Sequence, residues 1–429
     1  MRVLLVGHAL GPGLGSEPGN TWNFAWHLAG THEVTLLSHP QHRARVEAEL
    51  EKHPRPTLKI HWVTLSERID PWHPEKSEKG LRLHYLLWQR EAAKLAGQLC
   101  EAEAFDVAHH FSWGTVNAPP LLHKLPIPVV WGPIGGGQAL PLAFRRYFKG
   151  HLKGEILRHV TQSILPLAPS MRRMARAADV VLCTNQETRR LLDRAGARRV
   201  ELFLDNGLPP GYCDRATADR NPLNVMKLLW AGRCEPRKAL PVGLEAIAQV
   251  KQPVRLLVAG DGPSKEAWQR RAAELGVTDR VEFLGRVPWE TMNRLFDEAD
   301  AFLFTSLRDS FGSVVLEAMG HGLPIVTLNH QGVRDFVPAE GGFKVSVESP
   351  ERTTRELAQA IDALAQNPQR RMAMGQASLD FARTETWDRR AARLVALYDD
   401  VHAARGIGVS PGRSPAQPPA HGRDAHATI

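Results

Sequence analysis

Residues 305–324 carry backbone and side-chain groups suited to binding a diphosphate. The segment reads Thr-Ser-Leu-Arg-Asp-Ser-Phe-Gly-Ser-Val-Val-Leu-Glu-Ala-Met-Gly-His-Gly-Leu-Pro and follows a short apolar run that predicts a buried strand. A helix that begins near Gly312 would point free backbone N–H groups at an anion. Asp309 precedes this helix and Glu317 lies about one and a half turns into it, where each carboxylate can accept hydrogen bonds from hydroxyl groups beside the diphosphate. The N–H groups concerned are those of Gly312, Ser313 and Val314.

A second segment, residues 231–238, supplies positive charge. It reads Ala-Gly-Arg-Cys-Glu-Pro-Arg-Lys and follows another apolar run, so Arg233 and Lys238 fall in a turn ahead of a helix. The planar guanidinium of Arg233 and the point charge of Lys238 can bind phosphate oxygens from the side opposite the helix N-terminus. An isolated loop arginine is usually a solvated surface charge, so the prediction of a phosphate site depends on the two segments occurring together.

The second half of the chain contains an ordered set of short motifs. In sequence they are Leu229-Trp-Ala-Gly-Arg with Lys238, Leu257-Val-Ala-Gly-Asp-Gly-Pro263, Phe283-Leu-Gly-Arg-Val-Pro288, Ala299-Asp-Ala-Phe-Leu-Phe-Thr-Ser306, and Asp309 with Glu317. Their order and spacing resemble the retaining glycosyltransferases of family 4. The resemblance extends over residues 1–402 and is densest in the second half.

This resemblance implies an α/β chain with the GT-B architecture, in which two Rossmann-like domains present parallel sheets to each other across a cleft. It implies a hexosyltransferase (EC 2.4) that moves a sugar, with retention, from a nucleotide diphosphate sugar to a hydroxyl acceptor in cell-surface polysaccharide or glycolipid synthesis. The donor is a substrate, so no cofactor is expected. No Asp-x-Asp motif occurs that would hold a divalent ion at the donor, and no metal site is predicted.

Carried over residue by residue, the resemblance assigns roles around the donor. Arg233, Lys238 and the N–H groups at 312–314 would contact the diphosphate, and Glu317 would contact the ribose. Asp309 would touch the transferred sugar, at a position where the family usually has Glu. The backbone at Arg286 and Val287 would meet the base.

The first domain opens on a glycine-rich segment, Gly7-His-Ala-Leu-Gly-Pro-Gly-Leu-Gly-Ser-Glu-Pro-Gly-Asn20. Its glycines do not have the G-x-G-x-x-G spacing of a dinucleotide-binding turn. A helix is predicted over Thr21–Ala29, well after the glycines. The family resemblance implies instead that this loop lies against the donor phosphates and the acceptor, with Gly15 on the donor side and Glu17 on the acceptor side.

Two predicted strands of the first domain end in aromatic residues and histidines. They are 105–111, which runs into His109, His110 and Trp113, and 127–131, which ends at Trp131. Many family members have a histidine after the second of these strands, where this chain has Trp-Gly-Pro. His109 is therefore the candidate to act on the transferred sugar, with His110 beside it, although either could be a satisfied core histidine. Trp113 and Trp131 are candidates to stack on an acceptor sugar.

Alternating strand and helix patterns position these segments. The strands are predicted at 2–6, 33–38, 58–65, 105–111, 127–131, 179–184 and 199–203, and then at 226–231, 254–259, 280–284, 300–305, 323–328 and 342–347. The predicted domains are 1–205 for the acceptor and 223–385 for the donor, joined by a linker at 206–222. A helix over 386–405, which could cross back to the first domain, precedes a disordered tail at 406–429.

The composition of the chain indicates which kinds of ligand and which compartment to expect. The 429 residues are 43% hydrophobic, enough for a core in each domain, and the formal net charge of +8 favours an anionic ligand. Four cysteines without C-x-x-C spacing, and an N-terminus without a signal-peptide pattern, favour the cytoplasm. Nucleic-acid binding is not expected, because the basic cluster at residues 140–178 lacks interleaved stacking aromatic residues beyond Tyr147 and Phe148.

Residues 140–178 contain eight basic side chains and one acidic side chain. Phe144, Phe148, Leu152, Ile156 and Val160 recur every four residues and predict an apolar stripe beside these charges. Such a helix can lie on an anionic membrane, which would suit a lipid-linked acceptor, or it can pack on its own domain.

Two other functions stay open. A non-catalytic GT-B partner subunit is suggested by Asp309 and by the missing histidine. A nucleotide-sugar epimerase shares the architecture, although the basic pair combined with Asp309 and Glu317 argues against it.

Overall fold

The computed structural model describes residues 1–73, 79–148, 150–214 and 225–406. Within these ranges the chain forms two open parallel sheets, of seven and six strands, each flanked by helices. Residues 407–429 of the predicted tail, residues 215–222 of the predicted linker and Lys149 lie outside the described residues.

The first domain alternates strands and helices. Its elements are β1 (Arg2–Gly7), α1 (Ser16–Leu28), β2 (Glu33–Ser38), α2 (Arg43–Lys52), β3 (Leu58–Trp62), α3 (Leu81–Ala102), β4 (Val107–Ser112), β5 (Val129–Ile134), α4 (Leu152–Ile164), α5 (Pro169–Ala177), β6 (Val180–Cys183), α6 (Gln186–Ala195) and β7 (Val200–Leu202). Short 3-10 helices span Pro40–His42, Leu142–Phe148 and Leu165–Leu167.

The second domain repeats the pattern. Its elements are β8 (Met226–Ala231), α7 (Leu240–Ile247), β9 (Val254–Ala259), α8 (Lys265–Glu274), β10 (Val281–Gly285), α9 (Trp289–Glu298), β11 (Ala301–Phe304), α10 (Ser313–Gly320), β12 (Ile325–Leu328), α11 (Gln331–Phe336), β13 (Gly342–Val345), α12 (Pro350–Gln366), α13 (Pro368–Thr384) and α14 (Trp387–Ala404). Further 3-10 helices span Tyr212–Asp214, Pro236–Lys238 and Ala339–Gly341.

Each sheet is buried on both faces, which explains why its strands are apolar runs rather than alternating patterns. In β1, Val3 and Leu5 join the core on one face while Leu4 and Val6 join the core on the other. The residues of β8 divide in the same way between two core clusters. The GT-B fold, with parallel sheets facing across a cleft, is confirmed.

The strand orders place two pairs of loops where ligands bind in open α/β sheets. The first sheet runs β3-β2-β1-β4-β5-β6-β7 and the second runs β10-β9-β8-β11-β12-β13. The order reverses between β1 and β4 and between β8 and β11, so the loops after these strands diverge and leave a crevice. These four loops carry the glycine-rich segment, Trp113, Arg233 with Lys238, and Asp309.

The first helix begins earlier than predicted. It starts at Ser16 rather than Thr21, so a helix does follow the glycine-rich loop closely. Pro18 falls in the first turn, where its missing N–H removes no helical hydrogen bond. Gly19 is required there, because a Cβ would lie 1.8 Å from the carbonyl oxygen of Leu14.

The predicted apolar stripe of 144–160 is not one continuous helical face. Phe144 and Phe148 belong to the 3-10 helix Leu142–Phe148 and are buried in a core cluster of the second domain. Gly150, with φ of 82°, separates this turn from α4. Only the α4 part of the stripe is exposed.

The C-terminal helix α14 packs on the first domain. Trp387, Leu394 and Tyr398 share a core cluster with Val3 and Phe24. Where the chain crosses between the domains, the two crossing segments hydrogen-bond to each other: Leu208 N donates to Glu385 O at 3.0 Å and Trp387 N donates to Leu208 O at 2.9 Å.

Among the described residues, no helix combines the length and the apolar composition needed to cross a bilayer.

Candidate functional site

A buried ion pair lies where the loops after β8 and β11 meet. Lys238 ends the 3-10 turn after β8, and its Nζ contacts Oδ2 of Asp309 in the loop after β11. The two side chains are only 11% and 18% exposed. Arg237 Nη1 lies 3.3 Å from the same Asp309 oxygen. The sequence analysis passed over Arg237, although it occurs in the same basic segment.

Asp309 is held from several sides. Its N–H donates to Gln331 Oε1 at 2.8 Å, Ser310 N donates to Oδ1 at 3.1 Å, and Ser306 Oγ donates to Oδ2 at 3.4 Å. Burial would raise the pKa of the Asp309 carboxyl, but the charges of Lys238 and Arg237 outweigh it and hold that pKa below its ordinary value. Asp309 therefore remains an anion beside two cations.

The N-terminus of α10 opens beside this pair. No described residue accepts a hydrogen bond from the N–H of Gly312, Ser313 or Val314. Gly312 is the N-cap with φ of 99°, and a Cβ there would lie 2.9 Å from the ring of Phe304. Only glycine fits both conditions, and the result is a row of unpaired donors suited to an anion.

Glu317 lies one turn further along α10 and is half-buried. No described residue donates a hydrogen bond to its carboxylate. Burial raises the pKa of Glu317 to about 7. An unpaired, partly buried carboxylate of this kind can accept hydrogen bonds from vicinal hydroxyl groups of a ligand, and such bonds would favour its charged form.

Arg233 differs from Lys238. Its side chain is 71% exposed and its Nε lies 2.9 Å from Glu235 Oε1. The loop that carries it is fixed by the glycines of the Leu257–Pro263 motif, because a Cβ on Gly260 would lie 1.9 Å from Gly232 O.

The two residues predicted to meet the base, Arg286 and Val287, directly follow β10 at the same sheet edge. Arg286 is exposed and Val287 is half-buried.

The loops of the first domain converge in a similar way. Gly15 is the N-cap of α1 and has open space around its Cβ position. Glu17 accepts a hydrogen bond from Gly114 N at 2.9 Å and so ties α1 to the loop after β4. Burial raises the pKa of Glu17 to about 7.

The assignment of His109 as a catalytic residue is wrong in this geometry. Its side chain is fully buried, Nδ1 lies 2.5 Å from the hydroxyl of Tyr398, and Nε2 lies 2.7 Å from Gly132 O. Burial lowers its pKa to about 3. Successive strand residues point to opposite faces, and His109 points toward α14. His110 is also buried, with Nε2 3.3 Å from the Tyr85 hydroxyl, so it does not line an open surface.

The structure distinguishes the two tryptophan candidates. Trp131 is fully buried within the core and cannot stack on a ligand, which corrects that prediction. Trp113 is half-buried and stacks on Tyr85, with ring centroids 4.0 Å apart. Its backbone N–H donates to the Tyr85 hydroxyl at 2.7 Å. Trp113 thus remains a candidate to contact an acceptor.

The two sheet edges face each other across a narrow cleft. Gln331 Nε2, at the start of α11, donates to Ala139 O at 3.1 Å, and Gln138 Nε2 donates to Ser310 Oγ at 3.4 Å. Gly135 is needed in this approach, because its Cβ would lie 2.6 Å from Ser310 Oγ. The loop that holds Asp309 is therefore in direct contact with the first domain.

The second domain matches a known family. The model described as "Glycosyl transferases group 1" matches residues 218–380. The D-inositol 3-phosphate glycosyltransferase of Corynebacterium efficiens is 31% identical over 204 residues, which are 45% of this chain and 47% of the relative. The enzyme of that name from Nocardia farcinica is 31% identical over 266 residues, 56% of this chain and 57% of the relative. The matches span about half the length of these curated relatives.

Solved structures match over most of the chain. HepE of Anabaena, in a complex with UDP, aligns with 93% of this chain and 100% of its own, at a TM-score of 0.58 and 16% identity. The lipopolysaccharide outer core galactosyltransferase WaaB aligns with 93% and 100%, at a TM-score of 0.62 and 14% identity. At these identities the likeness establishes the shared fold.

Proposed function

We propose, from the match of residues 218–380 to the group 1 glycosyltransferase model, that the chain transfers a sugar, with retention, from a nucleotide diphosphate sugar to a hydroxyl acceptor. The donor would occupy the crevice between the loops after β8 and β11, and the acceptor would approach from the first domain. Polysaccharide or glycolipid synthesis in the cytoplasm is the setting that we infer for this reaction.

One observation carries the proposal. Lys238, with Arg237 behind it, lies next to the unpaired N–H groups at the start of α10, and the unpaired carboxylate of Glu317 follows on the same helix. Cations and amides together suit a diphosphate, and the carboxylate suits a ribose. These groups together are complementary to a nucleotide diphosphate.

The chemistry that we propose is stabilisation of the leaving group. As the bond between the sugar and the diphosphate breaks, negative charge grows on the phosphate oxygens, and Lys238 and the α10 amides are already oriented toward an anion. Arg233 is exposed and would swing onto the phosphates once a donor binds. Asp309, which pairs with Lys238 without a donor, would turn to the hydroxyl groups of the transferred sugar.

A panel of nucleotide sugars, scored by nucleotide release with and without lipid-linked acceptors, tests the proposal. We expect release with at least one donor, and loss of release in Lys238→Ala but not in the control Lys251→Ala, which changes an exposed lysine away from the cleft. An epimerised sugar without nucleotide release would support the epimerase. Tight nucleotide binding without any turnover would support the partner subunit.

We further propose that α4 brings the acceptor side of the cleft to an anionic membrane. Ile156, Leu157, Val160 and Ile164 are 50–67% exposed and form a stripe along this helix, although apolar helix faces are normally buried. Exposed basic side chains flank the stripe, namely those of Arg145 and Lys153. Apolar surface beside positive charge suits insertion at the headgroup level of anionic lipids.

Co-sedimentation with vesicles tests this surface. Binding to vesicles that contain an anionic lipid, but not to neutral vesicles, is expected, and high salt should weaken it. Arg145→Glu combined with Lys153→Glu should abolish binding, whereas Lys251→Glu combined with Arg270→Glu, exposed in the second domain, should not. Equal recovery in the supernatant with both vesicle types at low salt would refute the membrane surface.

A further inference from the structure

Three histidines of the first domain converge behind the glycine-rich loop. His8 follows β1, His39 follows β2, and His84 lies in the first turn of α3. All three are buried, and each offers a ring nitrogen within 4.8 Å of the nitrogens of the other two. They are more than thirty residues apart in the sequence, so no spacing motif marks them.

Two of the three rings lie at the distance expected for two ligands of one metal ion. His8 Nε2 and His84 Nε2 lie 3.2 Å apart. Two nitrogens bound at 2.0–2.1 Å to one tetrahedral ion would be about 3.4 Å apart. The ring of His39 stacks on His8, with centroids 5.1 Å apart, and one of its nitrogens lies within 4.8 Å of the ligand atoms of the other two histidines. Its Nδ1 also accepts a hydrogen bond from Gln41 N at 3.3 Å.

Asp70 orients one of these rings as a carboxylate does in metal centres. Its Oδ1 lies 2.6 Å from His84 Nδ1, and Trp72 N donates to the same oxygen at 3.0 Å. This bond places the proton of the imidazole on Nδ1 and leaves the lone pair of Nε2 directed at His8. Such a carboxylate contact typically accompanies a metal-bound histidine.

Bulky aromatic side chains enclose the cluster. Trp72, Tyr85 and Trp88 lie around the cluster and limit its access to water.

We propose that His8, His39 and His84 bind one borderline transition-metal ion, best Zn²⁺, with a water molecule as the fourth ligand. With three protein ligands and one water, this coordination is open at one position, and we assign the ion the role of joining elements of the fold. It connects the ends of β1 and β2 to α3, and because His8 is the second residue of the glycine-rich segment, it holds that segment in place beside the cleft. It takes no part in the transfer of the sugar.

Calorimetry with Zn²⁺, and the visible absorption of Co²⁺, test the site in tag-free, full-length protein dialysed against a chelator. We expect saturable binding of one ion per chain, a rise in Tm on loading, and a tetrahedral Co²⁺ spectrum. His39→Gln should remove binding, and Asp70→Asn should weaken it about 10–100-fold. His402→Gln, a buried histidine of α14 outside the cluster, is the matched control and should bind normally.

Absence of saturable Zn²⁺ binding would overturn the proposal, as would unchanged binding in both His39→Gln and Asp70→Asn. In the latter case the ion binds elsewhere, and the cluster is a neutral, hydrogen-bonded part of the core. These readouts involve no nucleotide sugar. Their failure is therefore distinct from failure of the proposed transferase activity.

Discussion

Replacement of Lys238 by alanine tests the centre of the proposed donor site. Lys238 is one of two cations in contact with Asp309, and the adjacent N–H groups of α10 have no partner among the described residues. Loss of one preorganised charge contact to a developing anion costs about 3 kcal/mol, which corresponds to a decrease of about 100- to 1000-fold in kcat. We expect kcat to fall more than donor affinity, because the charge on the phosphate is largest in the transition state.

Folding should survive this change. Asp309 would keep Arg237, Ser306 and the N–H of Ser310 as partners, so we expect a loss of only about 1 kcal/mol in the free energy of unfolding. Initial rates of nucleotide release with the matching donor give kcat and KM, and urea unfolding gives stability. Lys251→Ala is the control. A kcat within threefold of the wild type in a folded Lys238→Ala protein would refute the assignment of Lys238 to the diphosphate.

Four further predictions concern Glu317, Asp309 and His109. Burial raises the pKa of Glu317 from 4.5 to about 7, so the free energy of unfolding should decrease as pH rises through that interval. Glu317→Gln should remove this decrease when unfolding is measured at a series of pH values. The same pH dependence in the wild type and in the variant would contradict the assigned burial. Donor affinity in the wild type should increase as pH rises through 7 and be flat in Glu317→Gln when measured by calorimetry. Asp309→Glu, which restores the residue usual in the family, should keep or increase kcat, and activity gained only with this variant would favour the partner subunit. His109→Ala should lower stability by about 1–3 kcal/mol, because the Tyr398 hydroxyl and Gly132 carbonyl lose their partner, while kcat/KM stays within threefold of the wild type.

The sheets could be predicted from the sequence because their central strands are buried on both faces. The segment 226–231 is apolar except for Lys227, and the strand of the structure has the bounds that were predicted. The start of α1 could not be predicted in this way. Gly19 and Pro18 resemble loop residues, and only the approach of the Leu14 carbonyl shows why a glycine is needed inside the helix.

The candidate site was predictable where function depends on backbone, and less so where it depends on the direction of a side chain. The amides at Gly312 followed from the position of a glycine at a helix start. The predicted strand bounds put His109 and Trp131 near strand ends, where a side chain can meet a ligand. In the structure both lie in the middle of their strands, β4 and β5, and both point into the core. The His8 cluster assembles from three separate elements, and no local pattern can indicate it.

The way in which the two domains share their edges limits how the chain can be recombined with its relatives. Phe144 and Phe148 come from the first half of the sequence but complete the core beside β8, while α14 comes from the end of the chain but covers the face of β1. A hybrid protein joined only at the linker near Leu208 would expose apolar surface on both parts. A working exchange of the second domain would have to carry residues 140–148 along with it and leave α14 with the first domain.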